Sequence, residues 1–118
     1  MRIGSKLIIF CLVCLSSLRL SAQDGRNALF SLPPFERAVL CIKHFESLHS
    51  WKDYPYVGYG HQLLPGERFT AAMTERQADS LLRTDLMKRL MMFKDYGKDA
   101  LLLAVLSYNV GTGRLLGV

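Results

Sequence analysis

One acidic residue, Glu46, stands at the end of an apolar helical pattern in this sequence. It follows Ile42 by four residues, so it is predicted to lie on the rim of the same helix face. Partial burial disfavours a carboxylate and raises its pKa, which keeps a fraction of such a group protonated near neutral pH. A carboxylic acid in that state can protonate the leaving oxygen of a glycosidic bond. A Glu at a helix end is also commonly a solvated surface residue, so both interpretations stand at this point.

A segment rich in tyrosine and glycine, "DYPYVGYGH" (residues 53–61), follows Glu46. Tyr and Val favour a pleated strand and Gly allows positive φ, so the segment predicts a small antiparallel sheet or hairpin. This hairpin would form one wall of a cleft beside Glu46, where Trp51 and the tyrosines would stack on sugar faces. The candidates for a second polar group of the site are Asp53, Tyr56 and His61. The alternatives are that the aromatic run is a hairpin core and that the polar side chains only fix a turn.

The element predicted to carry Glu46 is a helix that begins near Phe35. Its apolar residues recur at spacings of three and four, which is typical of one buried face: Phe35, Ala38, Val39, Ile42 and Phe45. Residues 23–34 are polar and then proline-bearing, which predicts a linker into this helix.

Two more helices are predicted after the hairpin. Thr74 and Gln77 form a capping-box pair at the start of a helix of about five turns. One face of that helix is apolar: Ala78, Leu82, Leu86, Leu90 and Phe93. Gly97 is expected to end it or to separate it from the next segment, residues 99–111, which is apolar nearly all round and predicts a buried central helix. The order of helix, small sheet and two helices predicts an α+β domain with segregated layers.

The N-terminus, residues 1–22, has the pattern of a secretory signal peptide. Arg2 and Lys6 precede an apolar run at residues 7–18, and small residues precede Gln23. The run is short for a membrane span, although an uncleaved anchor is the alternative. The pattern predicts a secreted or periplasmic protein without stable membrane insertion after cleavage.

Charge and cysteine content exclude several classes of function. The formal net charge is +5, but three bases lie in the predicted signal peptide, which leaves twelve bases and ten acids, about +2. That small excess suits an anionic cell wall and does not predict a nucleic-acid partner. Cys41 would be the only cysteine after cleavage, so no internal disulfide is expected and Cys41 is predicted to be a small core residue. With His44, His49 and His61 as the only histidines, neither a metal nor another cofactor is expected.

Three ordered motifs resemble those of phage-type lysozymes, the endolysin muramidases similar to glycoside hydrolase family 24. "FESLHSWKDYPYVGYGHQLLPGE" (45–67) resembles the family signature, in which F-E-G closes the first helix and G-Y-G-H lies in the small sheet. "MTERQADSLLRTDL" (73–86) looks like the family's T-x-x-Q-A-x-x-L-L-x-x-D-L helix, and "ALLLAVLSYNVGTG" (100–113) looks like its central helix ending in F-N-x-G. The resemblance covers residues 35–117, and the order of several motifs makes it more specific than any one of them.

The resemblance implies that Glu46 is the catalytic acid. The family usually has an aspartate and then a threonine before its I-G-Y-G-H. In this sequence Asp53 is the only acid in that interval and Tyr56 stands where the threonine would be. The second catalytic role is therefore open among Asp53, Tyr56 and His61, and Asn109 of the last motif is a candidate substrate-binding residue.

The function implied by the resemblance is hydrolysis of the β-1,4 bond between N-acetylmuramic acid and N-acetylglucosamine in bacterial peptidoglycan, leading to bacteriolysis. Peptidoglycan is the expected partner, and a monomer is expected. A non-catalytic wall-binding module is the main alternative, and a lytic transglycosylase is a third. The family continues with more helices after F-N-x-G, whereas this sequence ends at Val118, so a C-terminally truncated lysozyme-like domain over residues 35–118 is expected.

Overall fold

The computed structural model describes residues 23–117, so the predicted signal peptide lies outside the described residues. The elements, in chain order, are α1 (Gln23–Ser31), α2 (Pro34–Glu46), a 3-10 turn (Trp51–Asp53), β1 (Tyr56–Val57), β2 (His61–Gln62), α3 (Glu75–Met92), a 3-10 segment (Lys94–Asp99), α4 (Ala100–Val110) and α5 (Thr112–Leu116). This part of the chain is mostly helical with one small sheet, which agrees with the predicted α+β class.

Helix α2 carries the predicted apolar face and ends where the sequence indicated. Pro34 stands in its first turn, where the missing N–H of proline has no intrahelical partner to lose. Val39 and Ile42 are buried on its inner face. The helix ends at Glu46 because Ser47 adopts φ 55°, outside the helical region. The preceding residues 23–34, predicted to be a linker, are helical over α1, and Arg37 of α2 lies over the ring of Phe30 from α1.

The predicted hairpin is present as a two-stranded antiparallel sheet. Tyr56 pairs with Gln62 and Val57 pairs with His61. The turn between the strands contains Gly58, at φ 57°, and Gly60, at φ 92°. Both values lie in the region that glycine adopts without strain, which is why the turn can be this tight.

Helix α3 begins with the predicted capping box. The backbone N–H of Thr74 donates to the side chain of Gln77 at 2.9 Å, and the N–H of Gln77 donates to Thr74 Oγ1 at 3.3 Å. Ala78, Leu82 and Leu86 are buried on the predicted face. Gly97, at φ 57°, lies in the 3-10 segment that separates α3 from α4, as predicted.

Helix α4 is central to the described fold, as predicted, and its apolar surface is covered on only part of its circumference. Ala104, Val105 and Ser107 are buried, whereas Leu102 is 39 % exposed. Within residues 23–117, the helices that contact α4 most are α2, α3 and α5, and they leave the Leu102 side uncovered.

The hydrophobic core lies where α2, α3, α4 and the hairpin meet. Its buried members are Val39, Ile42, Tyr59, Ala78, Leu82, Leu86, Phe93, Ala100, Ala104 and Val105. Cys41 is half-buried and packs against this core, so it is a core-edge residue rather than a fully buried one. Among the described helices, none is both long and apolar enough to cross a membrane.

Candidate active site

Glu46 lies at the C-terminal end of α2 with its side chain only 8 % exposed. Burial removes water from the carboxyl group and raises its pKa above the ordinary value. The predicted position on the rim of the apolar face is therefore confirmed, and the solvated-surface alternative is wrong.

Gly60 of the hairpin turn lies directly against the Glu46 carboxyl group. A Cβ atom built on Gly60 would be 3.0 Å from Glu46 Oε2 and 3.2 Å from its Cδ. The missing side chain of Gly60 therefore provides the space that the carboxyl group occupies, and the turn forms one side of the site.

Three other parts of the chain hold the hairpin turn in place. The backbone N–H of His49, in the loop after α2, donates to the carbonyl oxygen of Gly58 at 2.8 Å. The hydroxyl of Tyr108, on α4, donates to the carbonyl oxygen of Tyr59 at 2.7 Å. A Cβ on Gly58 would be 3.3 Å from the Cβ of Ala78, so α3 closes the third side. The position of the turn against Glu46 thus depends on contacts from α3, α4 and the loop.

The phenol of Tyr108 is a neutral hydrogen-bond donor. Burial raises its pKa, and the negative charge of Asp85 raises it further against the opposing charge of Arg89. The guanidinium carbon of Arg89 lies 5.2 Å from the centre of the Tyr108 ring, and Arg89 Nη1 donates to the carbonyl oxygen of Ser107 at 2.6 Å. Burial lowers the pKa of Arg89. Arg89 and Tyr108 therefore form a packed pair behind the site.

His49 is a site residue that the sequence analysis did not select. Its Nε2 atom lies 3.7 Å from Glu46 Oε2, and its side chain is 10 % exposed. Its ring meets Tyr56 edge to face, with 6.4 Å between the ring centres. The E-x-x-H spacing would bring the two side chains together on a continuous helix. Because the helix ends at Glu46, this spacing does not predict the contact with His49.

Asp53 caps the short 3-10 turn. Its Oδ2 atom accepts from the backbone N–H of Ser50 at 2.7 Å and from the hydroxyl of Ser50 at 3.1 Å. These hydrogen bonds, the backbone one first, lower the pKa of Asp53. The alternative that Asp53 fixes a turn is confirmed, and the S-x-x-D pattern of residues 50–53 is the local signal for it.

Both ring nitrogens of His61 are engaged by carboxylates. Nδ1 lies 2.6 Å from Asp85 Oδ2, and Nε2 lies 2.7 Å from Glu67 Oε2. Burial alone lowers the pKa of His61, but the hydrogen bonds and charges of Glu67 and Asp85 outweigh it and raise that pKa. His61 therefore links β2 to α3 and to the following loop, and its role in the site stays a prediction.

Aromatic side chains in the loop after α2 and in β1 are well exposed. Trp51 is 73 % exposed, and Tyr54 and Tyr56 are also exposed. Trp51 and Tyr54 are three residues apart across a 3-10 turn, where side chains at that spacing lie on the same side. Asn109, the other predicted binding residue, is half-buried in the last turn of α4, next to Tyr108.

A separate cavity of about 460 Å³ lies between α3 and the loop after β2. Phe69, Met73 and Leu81 supply its apolar lining, and Glu67 and Asp85 supply its carboxylates. None of the residues that surround Glu46 lines it, and both carboxylates are already bound to His61. Within residues 23–117, no group of three His, Cys, Asp or Glu side chains is arranged to hold a metal ion.

Comparison with known proteins does not indicate a family, since the chain matches no family model, no curated protein and no solved structure. Any function assigned to this chain therefore rests on the residues around Glu46 and on their contacts.

Proposed function

We propose that this protein is a muramidase of the phage-type lysozyme kind, in which Glu46 is the general acid that cleaves the β-1,4 bond between N-acetylmuramic acid and N-acetylglucosamine. The observation that carries this proposal is the state of the Glu46 carboxyl group. It is 8 % exposed and its pKa is raised by burial, as a proton donor to a sugar oxygen requires.

Other acids of the described chain form ion pairs or hydrogen bonds that stabilise the ionised carboxylate. These acid–partner pairs are Glu36 with Arg83, Asp79 with Lys43, Asp53 with Ser50, and Glu67 and Asp85 with His61. Within residues 23–117, no Lys or Arg lies within ion-pair distance of Glu46, so no fixed cation lowers its pKa. Glu46 is therefore the acid best suited to remain protonated until substrate binds.

The contacts of Glu46 suit attack on a polysaccharide. Glu46 would pass its proton to the oxygen that links the two sugars, and a water molecule would add to the carbon left with positive charge. Tyr56, whose ring meets that of His49, offers an exposed apolar face for a pyranose ring, and the rings of Trp51 and Tyr54 in the preceding loop are also exposed. A role for Asp53 in holding the water stays a prediction, although its carboxylate is engaged in the cap of the 3-10 turn.

The convergence of the three motifs on one place also supports the proposal. The first motif supplies Glu46 and Gly60, the second supplies Ala78, which packs against Gly58 of the hairpin turn, and the last supplies Tyr108. Motifs that lie far apart in the sequence are expected to meet when they build one site.

The test is turbidity clearing and reducing-end release from purified cell walls by the full chain and by Glu46→Gln. We expect the substitution to reduce the rate by roughly 100-fold or more, since general acid catalysis contributes about 10²–10⁴-fold. Glu75→Gln is the control, because Glu75 is exposed at the start of α3 and, within residues 23–117, its carboxylate accepts only a long hydrogen bond from the Tyr59 hydroxyl, at 3.4 Å. Equal clearing by wild type and Glu46→Gln would refute the assignment.

A wall-binding module without activity is the second candidate, favoured by the exposed aromatic rings and by Tyr56 at the position of the family's threonine. In that case the protein would sediment with insoluble peptidoglycan and release no reducing ends. Mass spectrometry of soluble fragments separates a third possibility, because 1,6-anhydro-muramic products would indicate a lytic transglycosylase.

A further inference from the structure

His49 is held firmly beside Glu46. Its backbone N–H is bonded to the carbonyl oxygen of Gly58 at 2.8 Å, and its ring packs edge to face against Tyr56. The side chain is 10 % exposed. The backbone of His49 is therefore anchored, and its burial and its aromatic neighbour limit the freedom of the ring to turn away from Glu46.

The two nitrogens of His49 have different surroundings. Nδ1 is fully buried and has no hydrogen-bond partner among the residues that the structure describes. A hydrogen on Nδ1 would therefore be buried without an acceptor, which is unfavourable. The form with its hydrogen on Nε2 avoids this, and Nε2 is the atom that faces Glu46 Oε2 at 3.7 Å.

We propose that His49 is a positioning residue for the general acid: its Nε2–H donates a hydrogen bond to the Glu46 carboxylate as Glu46 gives up its proton. This inference rests on the proposed function. In the protonated form of Glu46 that the proposed reaction requires, the 3.7 Å separation from His49 Nε2 is longer than a hydrogen bond. As negative charge develops on Glu46, the contact shortens into a charge-assisted hydrogen bond. An interaction that strengthens only as charge develops stabilises the transition state more than the bound substrate. It therefore raises kcat and leaves KM nearly unchanged.

The proton balance of the step leaves His49 unchanged. The Glu46 proton goes to the glycosidic oxygen as its bond to the anomeric carbon breaks. Water supplies a hydroxyl group to that carbon, and the remaining proton restores the Glu46 acid through solvent. His49 keeps its Nε2 hydrogen throughout and acts only as a donor.

The experiment compares His49→Leu, which removes the donor, with His49→Gln, whose amide N–H reaches a similar distance along the side chain. We expect kcat on soluble peptidoglycan fragments to fall roughly 10-fold to 100-fold in His49→Leu with little change in KM, as loss of a hydrogen bond to a charged group predicts. His49→Gln should recover most of that loss. Wild-type kcat in His49→Leu, or an equal loss in both variants at unchanged melting temperature, would overturn the inference.

A second readout needs no catalysis. The ¹³C chemical shift of the Glu46 carboxyl carbon, followed against pH, reports its pKa directly. Loss of a donor to the carboxylate should raise the pKa of Glu46 in His49→Leu and leave it near the wild-type value in His49→Gln. The other titratable groups that face this pair are Tyr108 on α4, Asp53 in the 3-10 turn and Tyr56 on β1, and they are the same in both variants.

The two readouts separate this inference from the proposed function. If wild type and Glu46→Gln are equally inactive on cell walls, the proposed function fails, and the shift titration still decides whether His49 donates to Glu46. If the wild type is active but the pKa of Glu46 is the same in His49→Leu and wild type, the role of His49 fails alone. Should His49→Leu not fold, His49→Asn replaces it, because the shorter amide does not reach Glu46.

Discussion

Replacing Gly60 with Ala places a methyl group against the carboxyl group of Glu46. The added Cβ would be 3.0 Å from Oε2 and 3.2 Å from Cδ, whereas unstrained carbon–oxygen contacts are about 3.3–3.6 Å. The hydrogen bonds from His49 and Tyr108 hold the turn in place. The carboxyl group must therefore move by roughly 0.5 Å to relieve the contact.

Two separable effects follow from this substitution. Gly60 has φ 92°, a conformation that costs a residue with a side chain on the order of 1–3 kcal/mol of folding free energy. The displacement of Glu46 is a separate effect on catalysis. A 1 Å misplacement of a reacting group can cost about 10²-fold in rate, so a shift of half that size is expected to lower kcat by roughly 10-fold.

Gly66→Ala is the matched control. Gly66 has φ 88°, close to that of Gly60, but a Cβ atom built on it meets no atom within 4 Å. We expect both variants to lose similar stability in thermal denaturation, while Gly60→Ala alone loses kcat in a reducing-end assay on cell walls. Wild-type kcat in Gly60→Ala, or an equal loss in Gly66→Ala, would refute the assignment of Glu46 as the reacting acid beside this turn.

The remaining predictions concern stability. Folding raises the pKa of Glu46, so the free energy of unfolding falls as pH rises through that pKa. Glu46→Gln has no such ionisation, so its melting temperature should exceed that of wild type at pH 7 but not at pH 4. The pKa of His61 is raised by folding, so its ion pairs stabilise the fold below the ordinary pKa of histidine and this stabilisation is lost as pH rises through the folded pKa. Asp85→Asn should therefore lower the free energy of unfolding by about 1.5–3 kcal/mol at pH 6 and by less at pH 9, measured by urea unfolding. Tyr108→Phe removes the hydroxyl that holds the hairpin turn and should cost about 1 kcal/mol in the same assay. Ser47→Gly should stabilise the chain by about 1 kcal/mol, because φ 55° with ψ 168° is a region adopted mainly by glycine; an unchanged melting temperature would contradict that reasoning.

Features that depend on neighbouring residues could be predicted from the sequence. The start of α3 depends on Thr74 and Gln77, which lie within one turn, and its buried face depends on a repeat of three and four residues. The hairpin depends on glycines that tolerate positive φ, and the half-buried position of Glu46 depends on its distance from Ile42 along one helix. The Ser50 and Asp53 cap was equally local.

The amino-acid sequence by itself therefore determined α2, the hairpin, α3 and α4, and which of them presents a partly buried acid, whereas α1 was predicted to be a linker. Tertiary structure alone decided what that acid touches. Tyr108 reaches the hairpin from 49 residues away, His61 meets Asp85 across 24 residues, and His49 turns toward Glu46 only after the chain has left the helix. The physical reason is that periodicity specifies which face of an element is apolar, whereas the polar groups that meet at its edge depend on how the packed elements are oriented.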